Sequence, residues 1–233
     1  MSMLKFLYKF QPYFESGMVN LENNDINKII KKLCKEILPQ DVFQKSDTRV
    51  YYDDNGYYLT VVEFQPYSLE KGTFLNAGVS FLFDKSDYIS YSYSYDDNIR
   101  IGRKFIKYIN DSQFESEVRT YVELAGRYVL RYREFRDINH AKDYIVKTLN
   151  DYNWNKYIKA MFYFLTDDKE NGAKYYNKFL NSHYFKRIIE QYDYPRDPHM
   201  IDRDYVLEMI KNKRRWLHGR KFMKKMKTFQ EYE

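Results

Sequence analysis

Asp87 to Asp97 reads DYISYSYSYDD. In an extended chain successive side chains point to opposite faces, so Ser90, Ser92 and Ser94 fall on one face and Ile89, Tyr91, Tyr93 and Tyr95 on the other. The preceding stretch, TFLNAGVSFLF, sorts the same way: Leu75, Ala77, Val79, Phe81 and Phe83 form an apolar row, with Asn76, Gly78 and Ser80 on its reverse. Glu63 and Gln65 share a face of the strand before that. Brought side by side, Glu63, Gln65, Asn76, Ser80, Ser90, Ser92 and Ser94 make a patch of small hydrogen-bonding groups around one carboxylate, which is the chemistry of a polar-ligand site. The competing reading is structural: antiparallel sheets leave one face solvated, and small residues admit a closely packed helix.

A second pattern overlaps this patch. DNGYYLTVVEFQ sets Asp54 nine residues before Glu63, with Gln65 two further on, and this resembles the Asp … Glu-x-Lys arrangement of restriction-type nucleases. The resemblance implies a hairpin carboxylate pair holding Mg2+, which polarises a phosphate and activates water. Gln65 stands where that family has lysine, and solvated turn acids are the plainer account of the same spacing. Apart from Mg2+ under this alternative, no cofactor is expected. His140, His183, His199 and His218 fall on different segments without ligand spacing, and neither a phosphate-binding glycine loop nor a serine-hydrolase elbow is present.

The third candidate is the tail. KNKRRWLHGRKFMKKMK, from Lys211 to Lys227, holds nine Lys/Arg and no acid, and these account for more than the whole net charge of +6. Trp216, Phe222, Met223 and Met226 interleave with the cations as on an amphipathic basic helix. Lys213, Arg214, Arg215, Trp216, Arg220, Lys224 and Lys225 are therefore the expected contacts to nucleic-acid phosphates or an acidic protein. The alternative is a solvated end, with Gly219 weakening the helix.

These groups need a scaffold, and 233 residues with 44% hydrophobic content can supply one. The 26 tyrosines and 17 phenylalanines suit stacking surfaces and equally suit the codon usage of an AT-rich genome. One cysteine, Cys34, excludes an intramolecular disulfide framework, and its neighbours Ile30, Leu33 and Ile37 mark it as packing. No apolar run approaches a membrane span and the lysine-broken N-terminus does not read as a secretory signal, so a cytoplasmic protein is expected.

NNDINKIIKKLCKEILPQ predicts a first helix, with Ile26, Ile29, Ile30, Leu33, Ile37 and Leu38 at helical spacing and Pro39 stopping it. TRVYYDDNGYYLTVVEFQP predicts a hairpin about Asp-Asn-Gly. With TFLNAGVSFLF and the Ser/Tyr stretch it forms a four-stranded antiparallel meander, and LKFLYKF is a candidate for an added edge strand. Tyr91, Tyr93 and Tyr95 are expected on the side of Leu75, Val79 and Phe81, against the first helix. From Ser112 the period becomes helical, with SQFE as a capping box and further helices near 138–150, 153–166, 169–181, 183–192 and 203–226. Strands followed by helices indicate α+β, with residues 1–110 as helix plus antiparallel sheet and 111–233 as a helical region ending in the basic helix, the whole able to form one composite domain.

GYYLTVVEFQP and KGTFLNAGVSFLF resemble segments of bacterial proteins of the domain of unknown function 4304 type, over roughly residues 25–135. The resemblance implies a helix followed by an antiparallel sheet and brings no activity or site residue with it. The function expected from the sequence is thus binding of a protein or nucleic-acid partner through the helical half or basic tail. The metal-dependent nuclease and a small-ligand sensor using the polar sheet face are the alternatives.

Overall fold

The computed structural model describes residues 24–95, 98–102, 104–152, 154–182 and 186–220. Helix α1 spans Asn24–Ile37. It buries Ile26, Ile29, Ile30, Leu33 and Cys34 and turns its lysines outward, as the spacing requires. The Cys34 thiol is buried and its pKa is pushed up to about 12 by loss of solvent, so it packs as a small hydrophobe.

Five strands follow in the order β1 (Phe43–Gln44), β2 (Val50–Asp54), β3 (Tyr58–Gln65), β4 (Gly72–Phe81) and β5 (Ile106–Lys107), and every neighbouring pair is antiparallel. The Asp-Asn-Gly turn joins β2 to β3, with Gly56 at φ 80°, the left-handed conformation that glycine adopts without strain. LKFLYKF lies outside the described residues.

The expected fourth strand is corrected. The Ser/Tyr stretch forms no ladder; it meets β4 at a single bridge, Val79 to Tyr93. There the amides of Ser92 and Tyr93 both donate to the Val79 carbonyl, at 2.7 and 3.1 Å, which is the hydrogen-bond pattern of a β-bulge. Further along, Ala77 N donates to Ile99 O and Gly102 N to Leu75 O, until β5 restores regular pairing. The bulge resets the alternation. Tyr93 and Tyr95 keep to the Val79 side but pack on Phe135, Tyr144 and Tyr132, not on α1. Tyr91 is thrown to the opposite face, where its ring fills the space a Cβ on Gly78 would need.

Directly paired residues share a face, so the register sorts the sheet. One face carries Tyr51, Val62, Phe64, Leu75 and Ala77, all buried against α1 and the long helix α2 (Asp111–Tyr132). The other carries Tyr52, Asp54, Leu59, Val61, Glu63, Gln65, Phe74, Asn76 and Ser80. The cap of α2 differs from the expected Ser112–Glu115 box: Asn110 is the N-cap and accepts from Gln113 N, while the Gln113 side chain accepts from Ile109 N. An asparagine two residues earlier satisfies the same helix-end donors.

Beyond α2 a short 3-10 turn, Arg133–Arg136, leads into α3 (Ile138–Thr148), α4 (Asn155–Leu165), α5 (Lys169–Leu180), α6 (Lys186–Gln191) and α7 (Arg203–His218), close to the predicted spans except that α7 ends at His218 and residues 221–226 of the expected 203–226 lie outside the described residues. α4 is buried nearly all round, as a helix without a polar face must be; Phe162 meets Tyr57, Phe81 and Phe83 from the sheet. One hydrophobic cluster therefore joins the hairpin end of the sheet to α3–α7. No helix among the described residues is long and apolar enough to cross a membrane.

The hairpin is fixed by two adjacent acids facing opposite ways. Asp53 receives a bidentate contact from Arg133, at 2.7 and 3.0 Å, just past the end of α2. Asp54 receives one from Arg214 of α7, at 2.7 and 2.9 Å, and the same guanidinium donates to Gly56 O at 2.8 Å. Arg214 is only 2% exposed, so removing its carboxylate leaves an uncompensated buried charge. Asp54→Ala is expected to lower unfolding free energy by about 3–5 kcal/mol in urea titrations, whereas pairing Asp54→Leu with Arg214→Met recovers most of that stability.

Candidate functional site

The β3–β4 register sets Glu63 opposite Asn76 and Gln65 opposite Phe74 on the outer face. Asn76 is 2% exposed, and its Nδ2 donates to both Glu63 Oε2 and Gln65 Oε1, each at 3.0 Å. The bulge brings the Tyr91 hydroxyl to 3.5 Å from Glu63 Oε2. Two buried atoms beside this carboxylate, Asn76 Oδ1 and the Tyr52 hydroxyl, have no hydrogen-bond partner among the described residues. Loss of solvent raises the Glu63 pKa, opposed by the hydrogen bonds from Asn76 and Tyr91 and by the charges of Arg100 and Lys45.

Toward the far end of the strands the polar row runs into an aromatic one. Phe74, Phe105 and Tyr67 lie with ring centroids 4.9 to 6.0 Å apart, Phe74 and Phe105 half-buried and Tyr67 44% exposed. The Arg100 guanidinium lies 3.8 Å from the Phe74 centroid and donates to Gln65 Oε1 at 2.9 Å. Gly72, at φ 152°, makes this seat: a Cβ there would stand 2.1 Å from Ile106 O and 2.5 Å from the Phe105 ring. Arg100, Lys104 and Lys107 are exposed beside the rings, and Asn98 to Asn110 contains four cations and no acid.

The sequence reading placed Glu63, Gln65 and Asn76 together correctly. The serines are a correction, because the bulge redirects them: Ser92 Oγ accepts from Phe81 N at 3.2 Å and Ser94 Oγ donates to Asn98 O at 2.8 Å. Ser90 is half-buried, and Ser80 is buried opposite Leu59 toward the hairpin. Asp54 and Glu63 are not brought together. They pair with Leu59 and Val50, four steps apart along the strands or ~13 Å, and Asp54 is committed to Arg214. Among the described residues no group of three His, Cys, Asp or Glu is placed to hold a metal ion.

The basic helix is corrected as well. Lys213 and Arg214 are 7% and 2% exposed and turn into the protein. The Lys213 ammonium donates to the carbonyls of Ser86 and Tyr88, and burial lowers its pKa against the pull of Asp84 and Asp87. Arg215 is exposed and pairs with Glu208; Trp216 is half-buried, with Arg220 stacked 4.3 Å from its ring. Lys224 and Lys225 lie outside the described residues. The missed signal was present in the spacing: Lys213 and Arg214 continue the face of Val206, Ile210 and Leu217, all buried. Tyr52, Tyr67, Tyr91, Phe74, Arg100 and Phe105 were also missed, since only the bulge and the irregular return to β5 gather them.

No family model, curated protein or solved structure matches this chain.

Because the folded state raises the Glu63 pKa, Glu63 favours folding most below the ordinary glutamate value of 4.5, and that contribution disappears as pH rises through the raised value. Glu63→Gln, which copies the neutral form, is therefore expected to gain stability relative to the wild-type protein from acid to neutral pH. Urea midpoints of the two proteins across that range check the sign.

Proposed function

We propose that this protein binds single-stranded nucleic acid on the far end of its outer sheet face, from Glu63 to Tyr67. The observation that carries the reading is the aromatic trio Tyr67, Phe74 and Phe105 set among the exposed cations Arg100, Lys104 and Lys107. Every base has a π-face, so stacking on such rings contributes about 1–3 kcal/mol per base without demanding a sequence, while nearby cations neutralise phosphates. Arg100 serves both purposes: its guanidinium lies over the Phe74 ring, 3.8 Å from the centroid, and brings a cation to a base or phosphate there. The binding class expected from the sequence is retained and its place moves. The tail has two of its cations, Lys213 and Arg214, engaged inside the fold, whereas Arg100, Lys104 and Lys107 beside the sheet are exposed, Lys107 with the exposed Glu70 as its ion-pair partner at 3.3 Å.

Fluorescence anisotropy with a labelled mixed-sequence single strand tests the reading. Tyr67→Ala and Phe105→Ala are each expected to weaken binding by about 1–3 kcal/mol if a base stacks there. Neutralising Arg100, Lys104 and Lys107 should flatten the log-affinity against log-salt slope by about 0.7 for each phosphate that no longer meets a cation. Replacing Arg215 and Arg220 should leave that slope unchanged. Affinity unaltered by the aromatic and sheet-side cation replacements together would overturn the proposal.

A further inference from the structure

We infer that the strand is recognised at a guanine, read by the Glu63 carboxylate with Gln65 beside it; this rests on the single-strand reading above. The hydrogen bonds already made leave a defined pattern. Glu63 Oε2 is held by Asn76 Nδ2 at 3.0 Å and by the Tyr91 hydroxyl at 3.5 Å, which anchors that oxygen. Its Oε1 accepts nothing from the described residues, and the side chain is half-buried at the border of the exposed part of the face. Asn76 Oδ1, also without a partner among those residues, is enclosed behind it. The Gln65 carbonyl oxygen is taken by both Asn76 and Arg100, so the other end of that amide, Nε2, is its remaining group and a donor. Glu63 and Gln65 are two residues apart on one face, ~7 Å along the strand.

This face therefore offers an acceptor at Glu63 with a donor at Gln65. Guanine alone among the bases carries two neighbouring donors on one edge, N1–H and the N2 amino group, followed by the O6 acceptor. A carboxylate set against the donor pair meets hydrogens at both positions. Against adenine or cytosine it meets one amino donor and one ring-nitrogen lone pair, and against uracil or thymine a single N–H between two carbonyl oxygens. Each of those pairings sets lone pair against lone pair. The partial burial of Glu63 sharpens the choice, because a carboxylate withdrawn from water loses more when its acceptor is left unmade. The exposed Tyr67 ring, and the Arg100 guanidinium over Phe74 directly opposite Gln65 in the register, supply the neighbouring stacking surfaces, so a base edge at Glu63 and a stacked neighbour fall along one line.

The test compares labelled single strands of about a dozen nucleotides, alternating G/U, A/U and C/U, each also made as deoxy strands with thymine. The G-containing strand is expected to bind roughly ten- to a hundredfold more tightly than the others, the discrimination typical of a well-placed bidentate contact. The ribose and deoxyribose arms identify which strand carries the guanine. Glu63→Gln, which replaces one acceptor by a donor, should abolish the preference, so that the G/U strand binds no more tightly than the A/U and C/U strands. Tyr67→Ala should weaken all three alike. Equal affinity for the three sequences in wild-type protein overturns the guanine assignment and leaves the single-strand reading intact. Failure of every strand to bind overturns both.

Discussion

The architecture turns on one consequence of strand geometry: neighbours in sequence point to opposite faces. Asp53 and Asp54, adjacent at the end of β2, therefore reach opposite sides of the sheet, and each meets an arginine from the helical half. Arg133 closes one side at the end of α2, and Arg214 closes the other from α7. A buried ion pair adds little net stability over an apolar substitute but is costly to break, so each arginine ties its part of the helical half to one side of the hairpin. Asn55 extends the arrangement by accepting from Arg136 at 2.7 Å and donating to Asp53. A turn of sequence DDNG thus serves both as a hairpin and as the point where both halves of the chain are joined.

That joining divides the outer face. At the hairpin end of that face Tyr52, Leu59 and Val61 are buried in the cluster shared with the later helices, and Arg214 of α7 reaches Asp54 there. At the other end Gln65 and Phe74 are half-buried and Tyr67 is exposed. The bulge at Ser92 and Tyr93 sits between the two regimes. It sends Tyr93 into the aromatic cluster around Phe135 and Tyr91 toward Glu63, so one irregularity completes the core and builds the polar row. Bulges re-aim side chains in this way because the extra residue shifts the alternation by one.

The sequence revealed the elements whose signals are local and periodic. α1, the Asp-Asn-Gly hairpin, β4 and the later helices all lie near their expected spans, because capping, turn chemistry and apolar spacing act within a few residues. Glu63, Gln65 and Asn76 were legible as neighbours for the same reason: period two within strands and a short turn between them fix the register. The Ser/Tyr stretch was misread because its alternation is perfect in sequence and broken in space by one shared carbonyl, Val79 O. Lys213 and Arg214 were misread because a run of cations looks solvated until its partners are known, and Asp54 and the Ser86 and Tyr88 carbonyls lie more than a hundred residues away. Tyr67, Phe74, Arg100 and Phe105 converge through an irregular return along β4 for which no short-range signal exists.

The account is tested most directly by photocrosslinking the protein to a single strand containing 5-iodouracil and identifying the modified peptides by mass spectrometry. Crosslinks are predicted on Tyr67 and Phe105 or their immediate neighbours, on the part of the sheet left open by the two arginine contacts. Crosslinks confined to α7 and the residues after it would contradict the account and return binding to the basic tail.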